Sequence, residues 1–337
     1  MNSERLQPPS VPPGLVVRSA TQADNQALID LELESALQMG EDEQFFDRSP
    51  DAFACCAPHP GCRLVVGEID GRIVGMMAGL VHSPVLQGRA RTLVYIHRGR
   101  VHPDFHHHGV AWALSNDLFR WSAQFGATGP YYAISPFNER SVAFGGRAGG
   151  RWPPGLVLAE FAVESAAEAS ALPLPDGALK DAVGLINRAH SSEDFFEPLT
   201  DDRLRRRRQA YGAGNLLGAW ENGSLVAAAA LWDKGATTER IDAERLSGVT
   251  SRSRTAVVVD WGCESGHEDA LGGLLRALAA RSRALGRSTL TICDPRPGRV
   301  PDIGLARHDG VVDLYTPALA TPPQKTTGGL YVDLLYL

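Results

Sequence analysis

The stretch LVYIHRGRVHPDFHHHGVAWALSNDLFRWSAQF, residues 93–125, decides the fold. An apolar, β-rich segment from Leu93 to Val101 leads to Pro103, and a helical repeat of apolar residues then starts near Val110. The order strand, loop, helix puts residues 106–111 at the start of a helix, where backbone N–H groups lack partners. The stretch therefore predicts an anion site.

Length and composition exclude several classes of protein. The 337 residues suffice for two domains, and 44% hydrophobic with 21% charged residues is typical of a folded globular chain. A net charge of -6 argues against a general nucleic-acid binder. No apolar run approaches the roughly 20 residues that span a bilayer, and five cysteines, an odd number, argue against a disulfide framework. We expect a cytoplasmic monomer or weak dimer with no membrane or nucleic-acid partner.

The first half reads as a compact series of short elements. Residues 1–14 are polar and rich in proline, which predicts a flexible tail before a domain at 15–164. A strand at residues 15–18 and a helix from Asp24 to Leu37 precede a hairpin whose turn is Asp70-Gly71. After the opening stretch we expect a strand at 131–135, a short helix from Asn138, and a last strand at 156–163.

The second half repeats this order of elements. Its hairpin turn, Asn222-Gly223, lies 152 residues after Asp70-Gly71 (71 to 223), and its helix end at Gly286 lies 160 residues after Gly126 (126 to 286). These similar offsets predict a duplicated fold, with a linker at 165–176 and a second domain at 177–337. Residues 234–254 are polar and predict a long loop.

The loop of the opening stretch resembles a known motif. Residues Val101 to Ala111 resemble motif A of the GNAT superfamily of acyl-CoA-dependent N-acyltransferases, which ends in the signature Gln/Arg-x-x-Gly-x-Gly/Ala. Gly109 and Ala111 stand at its fourth and sixth positions, and His106 stands where Gln or Arg is usual. The resemblance covers residues 14–163, whereas the second half shares the order of elements but little of the motif.

This resemblance implies a fold, an activity and a set of cofactor residues. The fold is α/β, two tandem GNAT folds, each a mixed, mainly antiparallel sheet flanked by helices. The activity is that of an enzyme, an N-acyltransferase that uses acetyl-CoA or another acyl-CoA and a small-molecule amine, with secondary metabolism as a setting. The implied cofactor residues are Gly99, Arg100 and Val101 along the pantetheine arm, His106, His107, His108, Gly109, Val110 and Ala111 at the diphosphate, and Asn138, Ser141 and Phe144 beside it.

Simpler interpretations exist for three conspicuous clusters. The histidines at 102 and 106–108 lack a nearby carboxylate or cysteine at ligand spacing, so we expect no metal site and assign them to the basic start of a helix. Cys55, Cys56, His59 and Cys62 are expected to be buried, inert thiols near a turn rather than zinc ligands. The run Arg205 to Arg208 is expected to be a solvated helix surface, with attraction of an acidic acceptor as the alternative.

The catalytic groups are less clear than the cofactor loop. Many GNAT enzymes donate a proton from a tyrosine whose position in this chain is Gly145. In the second half Asp260 and Glu264 are candidate general bases, and Tyr315, Tyr331 or Tyr336 are candidate acids, whereas Cys263 lacks a recognisable base. The catalytic set we predict is Asp260, Glu264 and Tyr315. The alternative function is a degenerate tandem protein in which acyl-CoA in the first half is structural or sensory.

Overall fold

The computed structural model describes residues 10–54, 56, 61–148, 150–296, 298–316 and 329–331. The helices of this part are α1 (Asn25–Glu34), α2 (Val110–Ala123), α3 (Glu139–Ala148), α4 (Leu179–Ala189), α5 (Asp201–Tyr211) and α6 (Glu268–Ala284). The strands of the first half are β1 (Val16–Ser19), β2 (Leu37–Met39), β3 (Asp42–Asp47), β4 (Cys62–Ile69), β5 (Arg72–His82), β6 (Val85–Leu86), β7 (Arg89–Ala90), β8 (Leu93–Val101), β9 (Pro130–Ile134) and β10 (Gly150–Ala162). Those of the second half are β11 (Leu216–Glu221), β12 (Ser224–Trp232), β13 (Glu239–Ala243), β14 (Thr250–Ser253), β15 (Thr255–Cys263), β16 (Thr289–Asp294) and β17 (Arg307–Thr316).

One large sheet runs through both halves. Its 11 strands lie in the order β1-β4-β5-β8-β9-β17-β10-β16-β15-β12-β11. The pairs β8–β9 and β15–β16 are parallel, and the other pairs of this sheet are antiparallel. The predicted α/β class with a mixed, mainly antiparallel sheet flanked by helices is therefore confirmed.

The two halves exchange strands where they meet. Strand β17 belongs to the second half by sequence but lies between β9 and β10, pairing Tyr315 with Tyr132 on one side. Strand β10 in turn pairs with both β16 and β17, so that Val157 stands between Asp294 and Val311. Each half of the sheet is thus continued by a strand from the other half. The division into 15–164, a linker and 177–337 stays a prediction from the sequence.

A second, smaller sheet also joins the halves. It contains four strands in the order β14-β13-β3-β2, and β13 pairs with β3 from Asp47↔Glu239 to Glu43↔Ala243. The long loop predicted at residues 234–254 is therefore wrong. Its alternating charges hide the strand pattern, and the partner strand is distant in sequence, so no local apolar repeat reveals the pairing.

The local turn signals agree with the structure. Asp70 and Asn222 have positive φ angles of 49° and 51° beside their glycines, as type I′ hairpin turns require. Gly126 and Gly286, with φ of 78° and 70°, end their helices in the left-handed conformation. The helix predicted from Asp24 to Leu37 is shorter, because α1 ends at Glu34 and β2 begins at Leu37.

Helices α1 and α2 cover opposite faces of the first half of the sheet. Leu28 and Leu31 of α1 pack with Val66 and Met76, whereas α2 packs on a cluster containing Val65, Met77, Val94 and Ile96. A third cluster extends from the first half into the second. No helix in the described ranges is long and apolar enough to cross a membrane.

Candidate functional site

A β-bulge interrupts β8 beside the opening loop. Met76 pairs with Arg100 and Ala78 pairs with His97, so Arg98 and Gly99 together face the single residue Met77. Arg98 has a φ of 53°, a left-handed conformation that is uncommon outside glycine. Such bulges bend a strand and redirect its side chains, and they are frequent next to active sites.

Strands β8 and β9 separate just before the bulge. Their parallel pairing covers only Val94↔Pro130 to Ile96↔Tyr132, whereas β8 continues to Val101. The carbonyl of Gly99 accepts a bond from Nη1 of Arg100 at 2.9 Å. The edge of β8 after Ile96 therefore faces β9 across a gap in the hydrogen-bond ladder, where an extended ligand can add like a strand.

The N-terminus of α2 opens beside this gap. Gly109 is the N-cap residue, with φ of 71°, and neither a capping side chain nor an acidic residue occupies the first turn. Among the described residues, the N–H groups of Val110, Ala111 and Trp112 have no hydrogen-bond acceptor. These N–H groups lie at the positive end of the helix dipole, at the place where the sequence predicts an anion site.

Glycines of the sheet fix the position of this helix. A Cβ atom on Gly75 would lie 2.8 Å from Cγ1 of Val110, and one on Gly79 would lie 3.0 Å from Leu118. Because both strand positions lack a side chain, α2 packs closely against β5. The height of the loop above the sheet is therefore set by packing.

The histidines of the loop have separate roles. His102 accepts a hydrogen bond from the Asp104 N–H at 3.2 Å, and His106 Nε2 donates to the Val101 carbonyl at 3.0 Å. Burial lowers the pKa of His106, so it is neutral at pH 7 and ties the loop to the end of β8. His107 and His108 are exposed. The loop imidazoles that face solvent are therefore those of His107 and His108, whereas that of His106 is held against the end of β8.

The residues predicted on the other side of the cofactor lie at the start of α3. Asn138 is buried, and its Oδ1 accepts from the Ser141 N–H at 3.1 Å, which caps the helix. Phe144 packs edge-on against Trp112 of α2, with ring centroids 6.4 Å apart, and against Tyr132 of β9 at 5.4 Å. The structure thus brings α2, α3 and the end of β9 together around the gap.

The ring of Tyr315 lies against Gly145, the position at which the sequence resemblance implies a tyrosine. A Cβ atom on Gly145 would lie 2.9 Å from Cγ of Tyr315 and 2.7 Å from Ile134. Tyr315 arrives on β17, the exchanged strand, and belongs to the core cluster beneath α2. Burial, with the charge of Asp313, raises its pKa, so the phenol stays protonated at neutral pH.

The second half has an equivalent bulge but a different helix start. Ala228 pairs with Gly262 and Ala230 with Val259, which leaves Asp260, at φ of 46°, in the bulge. At the N-terminus of α6, a Glu268 carboxylate oxygen accepts from the Gly266 N–H at 3.1 Å. Backbone hydrogen bonds from Glu268 itself and from Gly266 lower the pKa of Glu268. A carboxylate of the chain therefore lies at the N-terminus of α6, whereas the N–H groups at the N-terminus of α2 have no acceptor within the part of the chain that the structure describes.

The three predicted catalytic residues lie in different surroundings. Asp260 is buried, and its carboxylate accepts from Arg207 and, at 3.3 Å, from the Tyr211 hydroxyl. Glu264 forms an exposed ion pair with Arg188 at 2.6 Å. Tyr315 is separated from the strand of Asp260 by β10 and β16. The structure therefore does not bring Asp260, Glu264 and Tyr315 together at one site.

Other residues singled out in the sequence are also accounted for. Burial raises the pKa of Cys263, which leaves it a thiol, and Tyr331 is buried between the rings of His190 and Phe196. Cys56 and Cys62 are half-buried rather than buried. Cys55, His59 and Tyr336 lie outside the described residues.

Two members of the arginine run differ from the predicted solvated surface. Arg208 is half-buried and donates a hydrogen bond to the Leu174 carbonyl at 2.9 Å. Arg207 is buried and pairs with Asp260, whereas Arg205 and Arg206 are exposed as expected. The signal was present, because Leu204 and Tyr211 stand three residues before and four after Arg207 and are also buried on this face of α5.

Comparison with known proteins agrees with this geometry. Residues 25–149 match the model of the acetyltransferase (GNAT) family. This GNAT segment runs from the start of α1 to the end of α3 and contains the bulge, the gap and the uncapped start of α2. It covers less than half of the chain, and no curated protein matches the sequence.

Solved structures extend the similarity of fold to almost the whole chain. Saccharomyces cerevisiae N-myristoyltransferase with bound myristoyl-CoA aligns with a TM-score of 0.66 and 10% identity, covering 94% of this chain and 86% of that one. A GCN5-related N-acetyltransferase from Sphaerobacter thermophilus aligns with a TM-score of 0.61 and 15% identity, covering 91% and 97%. At these identities the likeness concerns the fold alone.

Proposed function

We propose that the protein is an acyl-CoA-dependent N-acyltransferase that binds acetyl-CoA or another acyl-CoA in its first half and acylates a small-molecule amine. The unpartnered N–H groups at the start of α2 carry this proposal, because a diphosphate needs several converging donors and close backbone approach. Gly109 and the small Ala111 leave room for that approach.

The pantetheine arm fits the gap between β8 and β9. Its amides would pair with the backbone of residues 99–101, which continues past the last ladder pair at Ile96. Phe144 and Trp112 flank the opening above, and Met77 lies under the bulge. The thioester at the end of the arm would then lie beside Gly99.

The second half is proposed to bind no acyl-CoA. Glu268 already accepts a backbone hydrogen bond at the helix start, and Glu268 and Asp269 place negative charge in the first turn of α6. Both charges would repel a diphosphate. One molecule of acyl-CoA per chain is therefore expected.

Transfer requires a base for the amine and a proton for the departing thiolate. We assign the proton donor to Tyr315, because its ring fills the space beside Gly145 and its hydroxyl stays protonated. Asp260 and Glu264 are held in ion pairs within the second half and are given no part in this step. As the C–N bond forms and the C–S bond breaks, the phenol proton would pass to the sulfur, and the proton released by the amine nitrogen would return to the Tyr315 phenolate, so that no further base is needed.

Native mass spectrometry tests the binding proposal. The wild-type protein should retain one acetyl-CoA per chain, and Gly109→Glu should abolish retention by placing a carboxylate at the diphosphate. Gly286→Glu, at the end of α6, is the matched control, since Gly286 has a similar φ of 70° but lies outside the GNAT segment. Equal retention by Gly109→Glu and wild type would refute the placement.

A binding protein without transfer is the second candidate. It is favoured by Gly145, which removes the tyrosine expected on α3. Incubation with radiolabelled acetyl-CoA and a broad panel of amines separates the two functions. Labelled amide and amine-dependent release of CoA support the enzyme, whereas retained acetyl-CoA with no release across the panel supports a structural or sensory role.

A further inference from the structure

Four charged side chains are buried together on the α1 face of the sheet, next to the bulge. Glu32 of α1 is 0% exposed, and Arg48, Arg98 and Arg100 are 6%, 9% and 7% exposed. Three cations thus surround one carboxylate. Buried charge is costly unless it is paired, so the excess of positive charge needs an explanation.

Two of the arginines are matched to Glu32. Arg98 Nη2 donates to Glu32 Oε2 at 3.0 Å, and Arg48 Nε lies 3.1 Å from the same oxygen. Arg98 also donates to the Ala52 carbonyl at 2.8 Å, and Arg48 to the Thr238 hydroxyl of the second half at 3.0 Å. Contacts from both halves of the chain therefore hold Arg48 and Arg98 in place.

Arg100 is different. Its Nη1 donates to the Gly99 carbonyl, its guanidinium lies 5.4 Å from the ring centroid of Phe46, and its buried Nε has no hydrogen-bond acceptor among the described residues. Burial lowers its pKa to about 10; Glu32 opposes this change, and Arg48 and Arg98 add to it. Arg100 is still a cation at neutral pH, and in the described part of the chain no carboxylate lies within ion-pair distance.

The position of Arg100 indicates what it binds. It follows Gly99 in the bulge, where the thioester would lie if the proposed function is correct. A guanidinium binds carboxylates through paired hydrogen bonds, and a buried one gains most from such a partner. Building on the proposed function, we propose that Arg100 binds a carboxylate carried by one of the two reactants, either the acyl group or the acceptor amine.

Three variants separate this role from a structural one. Arg100→Gln removes the charge, Arg100→Lys keeps it, and Arg89→Gln changes an exposed arginine on β7 as the control. Without ligand, Arg100→Gln should melt at the same temperature as wild type or higher, because it removes a buried cation that lacks a carboxylate partner. A large fall in melting temperature, repeated in Arg100→Lys, would indicate a structural role and overturn the proposal.

The first arm tests the acyl group by calorimetry. Binding of acetyl-CoA to wild type tests the proposed function by itself, and because residue 100 lies on the proposed pantetheine path, the acetyl-CoA affinity of each variant is the reference for its affinity for succinyl-CoA. If the carboxylate is on the acyl group, succinyl-CoA should bind wild type at least about tenfold more tightly than it binds Arg100→Gln. Arg100→Lys should recover part of the difference, and Arg89→Gln should match wild type.

The second arm tests the acceptor. Glycine, β-alanine and 4-aminobutyrate are each compared with the corresponding amide, with and without acetyl-CoA, by melting temperature and CoA release. If the carboxylate is on the acceptor, the acids should raise the melting temperature of wild type more than their amides do, and Arg100→Gln should abolish the difference. Melting temperatures measured without acetyl-CoA report this difference between acids and amides even if the protein binds no acyl-CoA. The absence of any Arg100-dependent preference for the charged form in both arms would overturn the proposal.

Discussion

Gly145 of α3 and Tyr315 of β17 are in such close contact that a Cβ atom on residue 145 would lie 2.9 Å from the tyrosine ring. Gly145→Ala should therefore destabilise the protein by about 1–3 kcal/mol through overpacking. Gly146→Ala is the matched control, since nothing lies within 4 Å of its Cβ position, and it should stabilise the helix by about 0.5–1 kcal/mol. Urea unfolding of both variants measures the contrast, and equal effects would contradict the contact.

The hydroxyl of Tyr315 should matter for transfer and not for binding. Tyr315→Phe keeps the ring against Gly145 but removes the proton donor, so kcat should fall by roughly a hundredfold or more while acetyl-CoA affinity is unchanged. Tyr132→Phe, which loses a 2.8 Å hydrogen bond to Ser115 in the same core cluster, is the control and should keep its activity. If the two variants behave alike, Tyr315 is not the donor.

Gly109 should contribute to both stability and binding, because its φ of 71° is strained for any residue with a Cβ. Gly109→Ala should cost about 1–2 kcal/mol of stability and weaken acetyl-CoA binding. Gly126→Ala, at φ of 78° with nothing within 4 Å, should cost a similar amount while leaving binding intact. Calorimetric titration distinguishes them, and the same affinity in both variants would argue against the anion site.

The buried pair of Asp260 and Arg207 should be much more important for stability than the exposed pair of Glu264 and Arg188. Asp260→Asn removes a buried carboxylate that is paired with Arg207, which should cost about 3–5 kcal/mol. Glu264→Gln should cost about 0–1 kcal/mol. Chemical denaturation measures both losses of stability. A loss in Asp260→Asn no larger than that in Glu264→Gln would contradict the prediction.

Glu197 should make stability depend on acid pH. It accepts from His82 at 3.1 Å and from Arg203 at 2.6 Å. Burial raises its pKa, but the hydrogen bond from His82 and the charge of Arg203 outweigh this effect and lower the pKa below the usual 4.5. A lowered folded-state pKa means that the carboxylate stabilises the fold above about pH 4.5 and loses this effect as pH falls.

The measurement compares wild type with Glu197→Gln. The wild type should be more stable by about 1.5–3 kcal/mol at pH 5, and the difference should shrink steadily from pH 4.5 to pH 2.5. Asp30→Asn, at an exposed carboxylate on α1, serves as the control. A difference that stays constant over this range would contradict a lowered pKa for Glu197.

Elements specified by local patterns were predictable from the sequence, and those specified by distant partners were not. The hairpin turn at Asp70, the strand and helix around the loop, and the left-handed glycines all follow from neighbouring residues. The strand at 239–243 was missed because its partner is near residue 45, and its own charges conceal one buried side chain, Ile241.

The candidate site divides in the same way. Gly109 and the uncapped helix start are encoded within a few residues, so this part of the candidate site could be predicted from the sequence. The contact of Tyr315 with Gly145 depends on the exchanged strand, and the burial of Arg100 depends on Phe46 and Glu32. Both arrangements join residues that are more than 50 positions apart, and no local repeat records them.

The exchange of β10 and β17 also determines how long one strand edge stays unpaired during synthesis of the chain. While the chain is being made, β9 has an open edge from the moment it forms until β17 has emerged, an interval of about 180 residues. At the usual rate of about 5–20 residues per second this is roughly 10–35 s. An open strand edge is prone to pairing with other chains. Until β17 has been made, the nascent first half therefore needs another molecule to cover the edge of β9.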